Sequence, residues 1–166
     1  MATLNMTRRD NERGQAIIEM ALTLPLLLLV VLGIFDFGLM FHRFEVVTNA
    51  AREGARVGVL PNYTTDVAKT RALQYLTVSG LGGPGIGTRT TCGGTKVPNS
   101  RCAVAVFNTT NIPGTGGAPA TPVNQVVVTV EFDHEHVFVG PIMGLFGSVP
   151  PATRLRSTSA MRREVN

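Results

Sequence analysis

Several scarcities narrow the functions open to this sequence. Cysteine occurs only twice and histidine three times, and lysine plus arginine make up 15 of 166 residues. The basic residues form no long block and no patch interleaved with aromatics. A pI near 9.7 and a net charge of +4 therefore describe a mildly basic domain rather than a nucleic-acid binder. Two cysteines without neighbouring ligands make a poor zinc site, and no metal is expected. No Ser-His-Asp arrangement, Walker motif or cysteine nucleophile with a histidine partner suggests itself. An enzyme is not expected, nor a cofactor or small-molecule substrate. GLGGPG at 80–85 satisfies the letters of a dinucleotide-binding fingerprint, but no strand precedes it and Pro84 stands where the helix should begin. It reads as a flexible loop. No internal repeat is evident.

Apolar residues, by contrast, are abundant at 44%, and many are concentrated near the N-terminus. Met20 to Phe35 is uncharged and rich in Leu and Val. From Gln15 to Asp36 a helix rises roughly 32 Å, about the thickness of a bilayer's hydrocarbon core. One transmembrane helix is the leading expectation. A cleaved secretory signal would want a small-x-small site directly after the apolar run, whereas the bulky Phe35-Asp36-Phe37 follows. Arg8, Arg9 and Arg13 precede the span and favour a cytoplasmic N-terminus, although Arg43, Arg52 and Arg56 follow it in company with Glu45 and Glu53. The expected location is thus an inner membrane crossed once, with the C-terminal part outside. Cys92 and Cys102 would lie in that outer part, where a disulfide is the favoured reading and two unpaired thiols the alternative.

Three regions follow from this reading: a leader at 1–14, a transmembrane and projecting helix at 15–58, and an α+β head at 59–166. Pro25 would interrupt one backbone hydrogen bond of the helix, which membrane helices tolerate. Beyond the span, Phe44, Val47, Ala51, Ala55 and Gly58 continue a seam at spacings of three and four. The small residues Ala50, Ala51, Gly54, Ala55 and Gly58 would let another backbone approach closely, either a partner's or that of the chain's own head. A second helix is predicted from a Thr65-Asp66 cap to Ser79-Gly80, with Val67, Thr70, Leu73 and Leu76 or Thr77 on one face.

Strands are expected at Ala103–Phe107, at Asn124–Phe132 in a central position, and at Arg154–Arg163 on an edge. In the last, Leu155, Ser157, Ser159 and Met161 would share one face and Arg154, Arg156 and Arg162 the other. Val137–Val139 would extend a following piece, and Gly140–Pro151 is a turn-rich excursion. A Gly/Pro-rich connector is expected from Asn111 to Pro122. His134 and His136, interleaved with Glu131, Asp133 and Glu135, share a face on an extended chain. No third metal ligand is implied, so they read as a solvated strand end. His42 reads as an interfacial residue. The sequons at Asn62 and Asn108 matter only in a host that glycosylates them.

One acid interrupts the approach to the apolar run. Glu19 lies near the inner interface, where its cost is below the roughly 2.5 to 3.5 kcal/mol of an acid at mid-span. A carboxylate there still calls for a partner charge. Cutting after Gly14 would create one, the α-amino group of Gln15, and Glu19 would be the fifth residue of the new chain.

In this arrangement the segment resembles type IV prepilin-like proteins. More specifically, Gly14, Ala16, Glu19, Ala21, Leu22, Pro25, Gly33, Asp36 and Gly38, followed by Ala51, Arg52, Glu53, Gly54, Ala55 and Arg56, resemble the TadE-like family of tight-adherence (Tad) pilus proteins. The resemblance implies a pilin-like fold, a long N-terminal helix on a small antiparallel-sheet head. It implies cleavage by a prepilin peptidase between Gly14 and Gln15, and a minor pilin or pseudopilin acting in assembly of adhesive pili. The implied partners are the membrane, the peptidase, other pilins and the inner-membrane assembly platform. Glu19 would set register in the assembly. The alternative is an uncleaved single-span envelope anchor with an exported ligand-binding head.

Overall fold

The computed structural model describes the backbone of residues 6–112, 121–144, 147 and 152–163, and the side chains of residues 14–108, 123–141, 144, 147 and 152–163. Among the described residues it is an α+β arrangement of one very long helix, two shorter ones and a four-stranded mixed sheet. Helix α1 runs Met6–Gly58 and α2 Thr65–Val78. Strand β1 is Gly87–Thr88, β2 Ser100–Ile112, β3 Thr121–His134 and β4 Thr153–Arg162, with α3, Val139–Gly144, between β3 and β4.

Helix α1 starts before Gln15, passes unbroken through Gly14, and contains Pro25 without interruption. Its outer part supplies the head with a wall of small side chains, since Val47, Ala50, Ala51 and Ala55 have no exposed surface and Gly54 and Gly58 are buried. Phe44, expected on this seam, is instead 42% exposed.

Helix α2 has the expected extent but a different buried face. Ala68, Ala72 and Leu76 point inward, whereas Val67 is exposed and Leu73 only half-buried. The reason lies on α1: a Cβ added at Gly54 would stand 3.0 Å from both the Ala68 carbonyl oxygen and the Ala72 Cβ. At so short a separation only alanines fit between the backbones, and the larger residues are turned aside.

The sheet order is β1-β2-β3-β4, so β3 is central and β4 an edge. β2 pairs antiparallel with β3, and β3 with β4; the exception to the antiparallel expectation is β1, which runs parallel to β2. Alternation along β3 builds two different faces. Val126, Val128, Val130 and Phe132 lie fully buried on the helix side and form the core with α1 and α2. Glu131 and Asp133 point the other way and are buried too, under the loop between β1 and β2. The predicted alternation of β4 holds: Leu155 is buried, Ser157, Ser159 and Met161 are half-buried, and Arg156 and Arg162 are exposed. Val139 opens a short helix rather than a strand. Residues 113–120 of the Gly/Pro-rich connector, and 145–146 and 148–151 of the excursion, lie outside the described residues.

Candidate functional site

From Gly14 to Val31 every side chain of α1 is exposed, and the apolar window has a mean hydropathy of 2.6 with none of it buried in the head. Such a surface is unsuited to water over that length, and the helix is long and apolar enough to cross a membrane. Within it the Thr23 hydroxyl donates to the carbonyls of Glu19, at 3.0 Å, and Met20, at 3.3 Å, which satisfies it without a partner helix.

Gly14 stands in open space, where an added Cβ would meet nothing within 4 Å. Glu19 is exposed, and among the described residues its carboxylate has no hydrogen-bond or ion-pair partner. The chain therefore holds Glu19 on its long apolar helix with no charge of its own head in reach. The small residues Ala50, Ala51, Gly54, Ala55 and Gly58, by contrast, are spent within the chain. They seat α1 against α2 and β3, with Gly54 opposite Val128 and Gly58 opposite Val126.

Two polar grips fasten α1 to the head where it leaves the apolar run. The first is Asp36, 3% exposed, whose carboxylate accepts from the backbone N–H groups of Val137 at 3.2 Å, Phe138 at 3.2 Å and Val139 at 2.7 Å. These amides would otherwise be unpaired at the start of α3, and a buried carboxylate without donors would be costly. The second grip is Arg43, two helical turns further on. Its guanidinium donates to His134 Nδ1 at 2.6 Å and lies over the Phe132 ring, 5.5 Å from the centroid.

The expectation of a solvated strand end is thus overturned, since His134, Asp133 and Glu131 are all at most 1% exposed. A guanidinium only donates, so Nδ1 of His134 must carry the lone pair, and the ring is neutral with its proton on Nε2. Burial, then Arg43 and His136 nearby, push its pKa down to about 4. His136 stacks edge-on at 5.2 Å and hydrogen-bonds the Thr153 hydroxyl at 2.8 Å. With Arg43 occupying Nδ1 and Thr153 occupying His136, the pair is engaged structurally.

On the opposite face of the sheet, Glu131 and Asp133 hold the β1–β2 loop. Glu131 accepts from the Gly93 N–H at 2.8 Å, and Asp133 from the Val97 N–H at 2.9 Å. Arg154 grips Asp133 with two nitrogens at 2.8 and 3.1 Å, and Arg89 lies 3.4 Å from both acids. Burial alone would raise the Asp133 carboxyl, but Arg154, the Val97 amide and Arg89 hold it below its ordinary value. Cys92 and Cys102 are bonded across the same face, their Cα atoms 5.6 Å apart, so the loop is tied down covalently as well. At the other end of α1, Glu53 pairs with Arg56 at 2.9 Å and Arg71 at 3.0 Å, and these bonds, first that to Arg56, hold its pKa down to about 2.

Sequence reasoning noted Asp36 as a motif residue but found no role for it. The signal was there: it is the acid that closes the long uncharged run. Its amide partners lie 101 to 103 positions away, beyond any local pattern.

The family model described as TadE-like protein matches residues 14–56. The match begins at Gly14 and takes in the apolar run, Glu19, Asp36 and the small row through Ala55. Residues 14–56, about a quarter of the chain, are thus similar to a TadE-like segment, and the head beyond them lies outside the match. No curated protein and no solved structure matches the chain.

Proposed function

We propose that this protein is a minor pilin or pseudopilin acting in the assembly of a Tad-type adhesive pilus. A prepilin peptidase cuts between Gly14 and Gln15. The protein sits in the inner membrane with its N-terminus inside and its head outside, and its partners are other pilins and the assembly platform. The observation that carries this reading is Glu19: an acid on the membrane helix, exposed and without a partner among the described residues, at the fifth position counted from Gln15. Cleavage supplies the missing cation. When the helix leaves the bilayer and joins a bundle of similar helices, Glu19 of one copy pairs with the new amine of another. The pair offsets the burial of both charges and fixes axial register. The span being free of the head supports this reading, because no core contact is lost when the helix changes surroundings. Glu19→Ala is expected to insert into the membrane normally and to fail to enter pili. Normal incorporation of that variant would refute the pairing.

The uncleaved anchor with an exported ligand-binding head is the second reading. One observation favours it: α1 is helical on both sides of Gly14, so the bond to Gln15 must unwind before a peptidase can cut it. Glycine at that position lowers the cost of unwinding, being about 1 kcal/mol poorer than alanine in a helix. The length of the mature chain distinguishes the two readings.

A further inference from the structure

From the end of the β3–α3 connection through α3, Val137 to Gly147 (VFVGPIMGLFG), the sequence is uncharged and apolar, on a head that could have placed polar residues there. Val137 is 49% and Phe138 39% exposed, and Pro141 is exposed beside them. Their height is set by Asp36, whose carboxylate holds the amides of Val137, Phe138 and Val139. Asp36 is also the residue at which the apolar run of α1 ends. The apolar side chains of this connection therefore stand level with Ile34, Phe35 and Phe37 of α1, which are 67%, 61% and 61% exposed.

We infer that residues 137–141 form a foot that rests in the outer interface of the bilayer crossed by α1, with Asp36 as its positioning residue. The inference depends on α1 spanning the membrane, as proposed above, and adds a second contact made by the head. The occupant of this surface is lipid because the surface is continuous with the lipid-facing side of the span. An aromatic ring at that depth is favourably placed, and the backbone amides of the turn, which lipid could not satisfy, are satisfied by Asp36. The foot fixes the head's tilt on the membrane, so the grip of Asp36 on the loop links how α1 sits in the bilayer to how the head is presented.

The absence of tryptophan makes the test direct. Full-length protein carrying Phe138→Trp as its single tryptophan is reconstituted into phosphatidylcholine vesicles whose acyl chains are brominated close to the headgroup. Phe35→Trp reports on the span and Val106→Trp on the sheet away from the base. The expected result is blue-shifted emission at position 138, quenched by the bromolipid to an extent comparable with position 35, while position 106 is unaffected. Adding Asp36→Ala to the position-138 reporter should bring its quenching down toward that of position 106. An unquenched reporter at 138 beside a quenched one at 35 overturns the foot and leaves the span standing. Blue-shifted but unquenched emission at 138 overturns lipid in favour of a second copy of the chain. Undiminished quenching after Asp36→Ala overturns the positioning role. An unquenched reporter at 35 overturns the span, and the foot with it.

Discussion

Replacing Gly58 by alanine adds one methyl group at a point where α1, α2 and β3 meet. The new Cβ would stand 2.7 Å from Val126 Cγ1 and 3.1 Å from the Ala68 Cβ. Neither neighbour has anywhere to go. Val126 is fully buried in the central strand, where branching at Cβ restricts its rotation, and Ala68 is fully buried on α2. Overpacking of this kind costs about 1 to 3 kcal/mol, and the helix-propensity gain of alanine is small at the last residue of a helix. A net loss of about 1 to 2 kcal/mol should lower the melting temperature by roughly 4 to 8 °C for a head of this size. Scanning calorimetry of the full chain in detergent micelles reads it. Gly38→Ala is the matched control, since a Cβ there meets nothing within 4 Å and, with alanine the better helix former, should leave the transition in place or raise it slightly. Val126→Ala combined with Gly58→Ala should cost less than the sum of the two single losses, because the methyl added at 58 fills part of the space left by the two removed at 126. An unchanged or raised melting temperature for Gly58→Ala, with Gly38→Ala behaving identically, would refute the claim that the small row seats the helix on its own head.

Further perturbations test other parts of the structure. Because His134 is neutral when folded and titrates at about 4 instead of 6.5, unfolding takes up a proton between those values. Stability should therefore be full above pH 6.5, decline by on the order of 3 kcal/mol as pH falls to 4, and stop responding to this group below that. Urea titrations across that range should show the decline, and His134→Asn should flatten it. Asp133, held below its ordinary value, contributes a separate loss that sets in around its unfolded pKa of about 3.9 and continues below it, so it dominates at lower pH than the His134 loss. Reducing the Cys92–Cys102 bond should cost up to about 3 kcal/mol by urea denaturation with and without reductant. Gly93 and Val97 should still keep protected amides at moderate denaturant, because Glu131 and Asp133 hold them independently; hydrogen exchange checks this.

Where local pattern carried the structural information, the sequence was readable. The β-branched run ending in Phe132 is the central strand, and the alternation of Leu155, Ser157, Ser159 and Met161 against arginines is an edge strand with one buried side. The end of α2 was legible from its Ser-Gly stop and its start to within a residue, although Thr64 rather than Thr65-Asp66 takes the cap position and its side chain makes no capping bond; its face was not legible. Val67 and Leu73 look like core, yet the glycines of α1 bring the backbones so close that Ala68 and Ala72 take the inner positions. The end of β3 was misread for a different reason. Alternating acids and histidines resemble a solvated edge, and nothing nearby announces that Arg43, Arg89 and Arg154 arrive from 91, 42 and 21 positions away to neutralise or occupy them. The site itself divides in the same way. Gly14 and Glu19 are visible because their relation is a spacing of five, whereas the grip of Asp36 on amides 101 to 103 positions away emerges only from the fold.

The central claim, that α1 is a membrane helix released for assembly by removal of a leader, rests on the bond between Gly14 and Gln15. Intact mass spectrometry of the protein extracted from membranes of cells with and without the prepilin peptidase measures it directly. The account predicts a chain beginning at Gln15 when the peptidase is present and one retaining the leader when it is absent. A chain that retains residues 1–14 in both would contradict it.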